Sequence, residues 1–543
     1  MIHPAAWLSC CALLLAQAGH SSDGAVEVAP SRTRIRAHLR FLADDQLRGR
    51  GTGSPEYEIA ARYVAAQLDG LGLEAAGVDG SFLQPVPLRG VRIDAASASV
   101  EIRRGADVTP LEWKKDFVMG GDATRTEVAV AAPVVFVGHG IVAPDQSHDD
   151  YAGVDVNGRI VLLVSGAPAS FPDTQRAYYS STGVKAAEAA ARGAVGMLAI
   201  RSQEMAERYA WENATRNAGR ESFRWLDPQA GPQPDDSGIR GAALLSHAAA
   251  GLLFEGGGVA LREALAAVAA GRFASVPLPA EAALSCRSEH RDLSAPNVAA
   301  VLRGDDPRLR DEYVVLSAHL DHLGVGVPEG DDEVYNGAYD NAMGVSITLE
   351  IARVLSEAPR RPRRSILFLL VAAEESGLLG AEYFVHNPTV PAGAIVADVN
   401  IDMPLFLFPS SGVTAFGERH SSLSGPVARA AAAAGLAVTP DPFPEEVVFI
   451  RSDQYAFVKQ GIPAVMLAPG LESTDPAVDG RKLTMEFITG GYHTPKDDLD
   501  RHVDWASAER FALVNALLGL GIANQTERPG WNRGDFFGER FAR

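Results

Sequence analysis

The stretch SILFLLVAAEESGLLG, residues 365–380, sets eight apolar residues without a charge directly before two adjacent carboxylates, Glu374 and Glu375. A short apolar run bounded by polar residues reads as a strand buried on both faces, the kind found in parallel sheets. The glutamates then stand at its carboxyl end, where ligands and chemistry collect in open α/β sheets. Two like charges so placed repel unless a cation or a shared proton relieves them, and a metal ion would do so. The plain alternative is that both are solvated and begin the helix SGLLGAEYFV.

Outward from this stretch the same texture repeats. From about Asn297 strand-like and helix-like segments alternate: PNVAAVLRG, YVVLSAHLD, a helix through AMGVSITLEIARVLSEA, the opening strand, IVADVNIDM, GIPAVMLAPG and a last helix near 505–524. The alternation predicts an α/β fold, a mostly parallel sheet flanked by helices on both faces. Residues 34–73 predict two helices about a Gly-rich turn, Ser54-Pro55 starting the second. Between about 133 and 200, PVVFVGHGIV, RIVLLVSG and AVGMLAI are β-rich runs accompanied by one Ala-rich helix, KAAEAAARG. They predict a small β-rich domain whose trailing edge lies near Leu278. The tail after Thr526, with Trp531, Phe536, Phe537 and Phe541, is expected to pack against the body.

The 543 residues are 47% hydrophobic and 22% charged, a globular composition with room for two or three domains. A net charge of -19 without any basic run argues against a nucleic-acid partner. The first eighteen residues carry a short apolar core ending in Ala16-Gln17-Ala18, which reads as a secretory signal peptide and predicts export. Cys10 and Cys11 lie inside it, so Cys286 stands alone in the mature chain and no intramolecular disulfide is expected. No second long uncharged apolar run is found, which predicts a soluble mature protein without stable membrane insertion. Oligomeric state has no sequence signal.

The His, Asp and Glu residues at strand carboxyl ends or in the following loops form a short set. His319 and Asp321 follow YVVLSA, Asp340 lies in EVYNGAYDNAMG, Glu374 and Glu375 end the opening strand, Asp402 ends VADVNID, and His493 sits in GGYHTPKDD. Imidazoles with carboxylates suit Zn²⁺, which takes such nitrogen and oxygen ligands at about 2.0–2.2 Å. Five ligands exceed one tetrahedral site with an open position and fit a pair of zincs sharing a bridging carboxylate. His322, three residues past His319, is a rival ligand. HExxH, GxSxG and CxxC are missing, which removes zincin, serine-hydrolase and thioredoxin-type chemistry.

In this order HLD, the Asp-Asn pair of YDNAMG, EESGLLG, NIDM and YHTP resemble the co-catalytic zinc aminopeptidases of the M28 metallopeptidase family, over roughly residues 30–525. The resemblance implies the zinc exopeptidase, phosphorylase/hydrolase-like fold with two zincs per chain. It places His319 and Asp402 on one zinc, Glu375 and His493 on the other, Asp340 between both, and Glu374 as general base. Asp321 would hold His319 in its tautomer, and the family pattern leaves His322 a structural residue. A cis Asp340-Asn341 peptide is expected, as in relatives. VVFVGHGIV, DDYAGVDVNGRIVLLVSG and GAVGMLAI resemble the protease-associated domain inserted in many members, and His139 and His148 within it read as surface or turn residues. Ser452-Asp453 reads as a helix start, and relatives often carry histidine where Gln454 stands.

The expected order is therefore signal peptide 1–18, N-terminal part of the peptidase domain 30–125, protease-associated insert 126–280, catalytic zinc peptidase domain 285–525 and tail 526–543. The implied activity is that of an exported aminopeptidase acting on peptides with a free N-terminus. Glutaminyl-peptide cyclotransferase, a carboxypeptidase and a non-catalytic binding protein are the alternatives on the same fold.

Overall fold

The computed structural model describes residues 28–227, 231–232 and 238–542. The signal-peptide reading, with Cys10 and Cys11, falls outside them. Seven strands position the site: β1 (Leu83–Ile93), β2 (Val276–Leu302), β3 (Tyr313–His319), β4 (Ser365–Val371), β5 (Ile395–Asn400), β6 (Gly412–Phe416) and β7 (Ala464–Pro469). β4, the opening stretch, is buried along its whole length. It pairs in parallel with β3, β3 with β5, and β5 with β7. The flanks are antiparallel, β2 on β4 and β6 on β7.

Both faces are covered, which is why these runs lack an alternating polar residue. Ile366, Phe368 and Leu370 of β4 share a core with Ile347 and Ile351 of helix Gly344–Ser356 and Phe511 and Val514 of helix Trp505–Ala523. The intervening Leu367, Leu369 and Val371 pack with Phe384 of helix Leu379–His386 and Phe457 of helix Gln454–Lys459. Each such side chain contributes about 1.5–3 kcal/mol when removed from water. Helices Arg32–Leu42 and Pro55–Gly70 bracket the Gly-rich turn as expected, with Ser54 Oγ accepting from Tyr57 N at 3.0 Å. The tail packs as expected too: Phe537 is buried beside Trp531 and Phe536. Helix Trp505–Ala523 is, among the described residues, the one long and apolar enough to cross a membrane, and most of it is buried inside the protein.

A second core gathers Phe136, Ile160, Leu162, Leu198, Phe254 and Cys286. Its strands 127–136, 160–164 and 196–200 pair in parallel, and the Ala-rich helix Thr182–Ala191 follows the second of them. Ile93, Val100, Ile102, Phe117 and Met119 also belong to this core, although they lie in the segment expected to serve the peptidase core. The reason is pairing: strand Ser99–Arg104 joins the first half of β2, whereas β1 joins the second half. β2 therefore runs through both units without a break. His139, expected near the surface, is buried, with Nδ1 3.4 Å from the Val164 carbonyl.

Candidate metal centre and active site

Because β3, β4 and β5 are parallel neighbours, their carboxyl ends open at one place. His319 is the last residue of β3, Glu374 and Glu375 begin a tight turn just past β4, and Asp402 follows β5. Asp340 comes from the loop before helix Gly344–Ser356, and His493 from the turn after helix Gly480–Gly490. The backbone is left-handed at Ala373 (φ 56°), Met403 (φ 45°) and His493 (φ 57°), at or beside three of these positions. Non-glycine residues adopt that region at a cost, and such outliers cluster where function needs them. The Asp340-Asn341 peptide is cis.

The side chains form two clusters joined by one carboxylate. His319 Nε2 lies 3.0 Å from Asp402 Oδ1 and 3.2 Å from Asp340 Oδ1. The other Asp340 oxygen, Oδ2, lies 3.2 Å from His493 Nε2, which is 3.0 Å from Glu375 Oε2. His322 Nδ1 lies 2.6 Å from Glu375 Oε1. His319, Asp340 and Asp402 offer ligand atoms within 4.8 Å of one another, and so do His322, Asp340 and Glu375. His322 Nδ1, His493 Nε2 and Glu375 Oε1 are buried without a hydrogen-bond partner. Orphaned donors and acceptors of this kind are costly unless something else satisfies them, and imidazole with carboxylate is a donor set that suits zinc. The residues present fit the metal.

A ring of contacts holds these groups. Asp321 accepts from Glu374 N at 3.0 Å and Thr52 Oγ1 at 2.9 Å through its carboxylate, and meets His319 Nδ1 at 3.1 Å through its backbone carbonyl. Asp497 accepts from Tyr339 N at 2.9 Å and Asp340 N at 3.0 Å. Asn341 ties the same loop to Asp402: its Nδ2 donates to the Ile401 carbonyl at 2.9 Å. Beneath them lies Arg50, fully buried, which donates to the carbonyls of Leu320, Asn336 and Gly337 at 3.0, 2.7 and 3.0 Å and also to that of Leu42. Burial lowers its pKa to about 10, against the pull of Asp497, Asp321, Asp340 and Glu375. Asp453, expected to open helix Gln454–Lys459, makes no cap bond and is buried with both oxygens unpartnered. Gln454 instead accepts from Asn400 Nδ2 at 2.7 Å and donates to the Phe449 carbonyl at 2.8 Å.

Electrostatics separates the two glutamates. Burial raises the pKa of both. At Glu375 the His493 and His322 rings outweigh it and bring the carboxyl to about 2. At Glu374 burial prevails, Asp402, Asp453 and Glu375 add to it, and His319 opposes, so the pKa stands well above the ordinary carboxylate range. Neighbouring acids with diverging affinities for the proton mark a division of labour.

Glu374, Asp340, Asp402 and His493 open onto a cavity of about 580 Å³. Its walls are largely apolar, with Met403, Phe408, Phe416 and Ile488, and one wall comes from segment 201–217, which follows strand 196–200 of the second unit. Arg208 of that segment pairs with Glu445 at 2.9 Å and Glu446 at 2.7 Å, across to the unit that carries the parallel strands. Arg50 and Asp497 were not foreseen from the sequence. Charged residues in turns read as solvated.

Residues 297–518 match the profile of Peptidase family M28. A probable zinc metalloprotease of Pyricularia oryzae is 39% identical over 92 residues, 17% of this chain and 17% of that protein. The mouse aminopeptidase NAALADL1 is 30% identical over 138 residues, 24% of this chain and 17% of that protein. The matched segments thus span less than a fifth of these relatives' own length. Among solved structures, the aminopeptidase from Aneurinibacillus sp. strain AM-1 shares the fold, with a TM-score of 0.53 at 20% identity over 92% of this chain and 95% of that one. The parallel strands, the strand-end cluster and the family profile fall on the same residues, so residues 297–518 form a domain of peptidase family M28.

Proposed function

We propose that the protein is an exported zinc aminopeptidase that removes N-terminal residues from peptides with two metals bound per chain. The observation that carries the reading is that both donor clusters share Asp340 and border the cavity that Glu374 also faces. His319, Asp402 and Asp340 would hold one zinc and Glu375, His493 and Asp340 the other. When bound, the ions supply Lewis-acid polarisation of the scissile carbonyl and lower the pKa of an attacking water. Glu374 accepts that water's proton and returns it to the leaving amine, a contribution of roughly 10²–10⁴-fold for a positioned acid–base group. Asp321 fixes the Glu374 backbone through its 3.0 Å bond, so the carboxylate keeps one aim. The apolar walls take the substrate's first side chain and exclude water from it. The second unit, which resembles a protease-associated domain, closes one side and admits short chain ends rather than folded proteins.

A panel of aminoacyl and N-acetylaminoacyl amides tests the reading, together with metal analysis at saturation. Amine release that requires a free α-amino group, from protein holding two zinc equivalents, is expected. Release only from peptide C-termini, or cyclisation of N-terminal glutamine by a one-zinc protein, would overturn it. Export is tested by the N-terminal sequence of protein recovered outside the cytoplasm, expected to begin at Gly19.

A further inference from the structure

His322 stands outside the ligand set given above, yet its surroundings are those of a ligand. Its side chain is fully buried, and neither ring nitrogen meets a hydrogen-bond partner. Nδ1 is nevertheless 2.6 Å from Glu375 Oε1 and 3.7 Å from Asp340 Oδ2. The distance to Glu375 is that of a hydrogen bond, but the direction is not, and the Glu375 oxygen is orphaned as well. Both atoms are therefore free to take a third partner. If ligands lie about 2.0–2.2 Å from zinc, neighbouring donors of a tetrahedral set are about 3.3–3.6 Å apart. The separations of 3.7 Å for His322 from Asp340 and of 3.0 and 3.2 Å for His493 lie within a few tenths of an ångström of that edge length, and the 2.6 Å between His322 and Glu375 is shorter than it.

Glu375 divides itself accordingly, Oε1 toward His322 and Oε2 toward His493. The His322 ring is also pinned. Its backbone N donates to the Arg50 carbonyl at 3.2 Å, and a Cβ on Gly337 would come within 2.5 Å of its Cγ.

We infer that His322 is a zinc ligand through Nδ1, completing with His493, Glu375 and Asp340 a closed four-residue position, while the position of His319, Asp402 and Asp340 keeps a place open. The inference rests on the metallopeptidase reading and refines it. Zinc positions with four protein ligands are structural in character, and those with three leave room for water and substrate. The two metals are then unequal. The one at His322 enters first and leaves last, and chemistry belongs to the one beside Glu374.

X-ray absorption at the zinc edge counts imidazoles, and chelator competition reads affinity without any turnover. Wild type holding two zincs should show three imidazoles shared between them. His322→Gln, which keeps a polar group beside Glu375, and His322→Phe, which keeps the ring volume, should each show two and lose at least about 100-fold in affinity at one zinc only, beyond what an outer-shell partner usually contributes. Circular dichroism of the metal-free proteins identifies any variant that fails to fold. Wild type with two imidazoles on two zincs would overturn the assignment and leave the two-metal reading intact. A single zinc at saturation would overturn the two-metal reading. Two imidazoles on that zinc would keep His322 as ligand, and one would remove it.

Discussion

Glu374 and Glu375 are one backbone step apart and face different company, His319 and Asp402 for the first, His322 and His493 for the second. Glu374→Gln should therefore retain both zincs while kcat falls by roughly 10²–10⁴-fold, read by metal analysis beside steady-state kinetics. Glu375→Gln should lose zinc on dialysis and recover part of its activity when zinc is added. Lys185, in the second unit, gives a residue-scale prediction of another kind. It is buried, donating to the Val164 carbonyl at 3.0 Å and to that of Gly166, and burial lowers its pKa to about 7 against the pull of Asp150. In the unfolded chain a lysine titrates near about 10.4. The unfolded state thus binds more protons between these values. The penalty for burying the charge is full below pH 7 and lifts as pH rises toward 10, so this group makes stability rise over that interval. Urea midpoints of wild type should climb from pH 7 to 9.5 more steeply than those of Lys185→Met. The strand-end ligand candidates were legible because short apolar runs announce where strands stop. Arg50 and Asp497 were not, because their roles are to pair with backbone groups of segments far off in the chain, such as Asn336 for Arg50 and Tyr339 for Asp497.

At the scale of elements, the loop before helix Gly344–Ser356 is the tightest part of the site. Gly337 has φ +58°, and a Cβ there would lie 2.2 Å from the Asp340 carbonyl oxygen and 2.5 Å from His322 Cγ. Gly337→Ala should destabilise the protein by at least about 1–3 kcal/mol and lower zinc content, checked by thermal unfolding and metal analysis of the same sample. Helices and buried strands were readable from periodicity, and the two N-terminal helices and the Ala-rich helix fall where their signals place them. Pairing partners were less readable. An alternating run such as SVEIRR, residues 99–104, presents one apolar face to whichever sheet receives it, and its sequence does not name the sheet. Ser452-Asp453 shows the same limit at a helix start, where a serine and an aspartate carry a capping signal but Asp453 turns inward.

For the whole molecule, the two units meet at the cavity, where Arg208 spans to Glu445 and Glu446. Partly exposed pairs of this sort stabilise by about 1 kcal/mol or less, so Arg208→Ala should barely move the unfolding midpoint. It should instead relax the covering wall. The ratio of kcat/KM for a decapeptide to that for a dipeptide is expected to rise several-fold, measured on one substrate series. An unchanged ratio would show that segment 201–217 does not screen substrate length. Finally, β2 carries the first unit's sheet at one end and the second unit's at the other. An engineer who wished to exchange the second unit for another recognition module could not excise it at a pair of flexible joints. The graft would have to reproduce a strand already in register with β1, or the peptidase sheet itself would lose its antiparallel border.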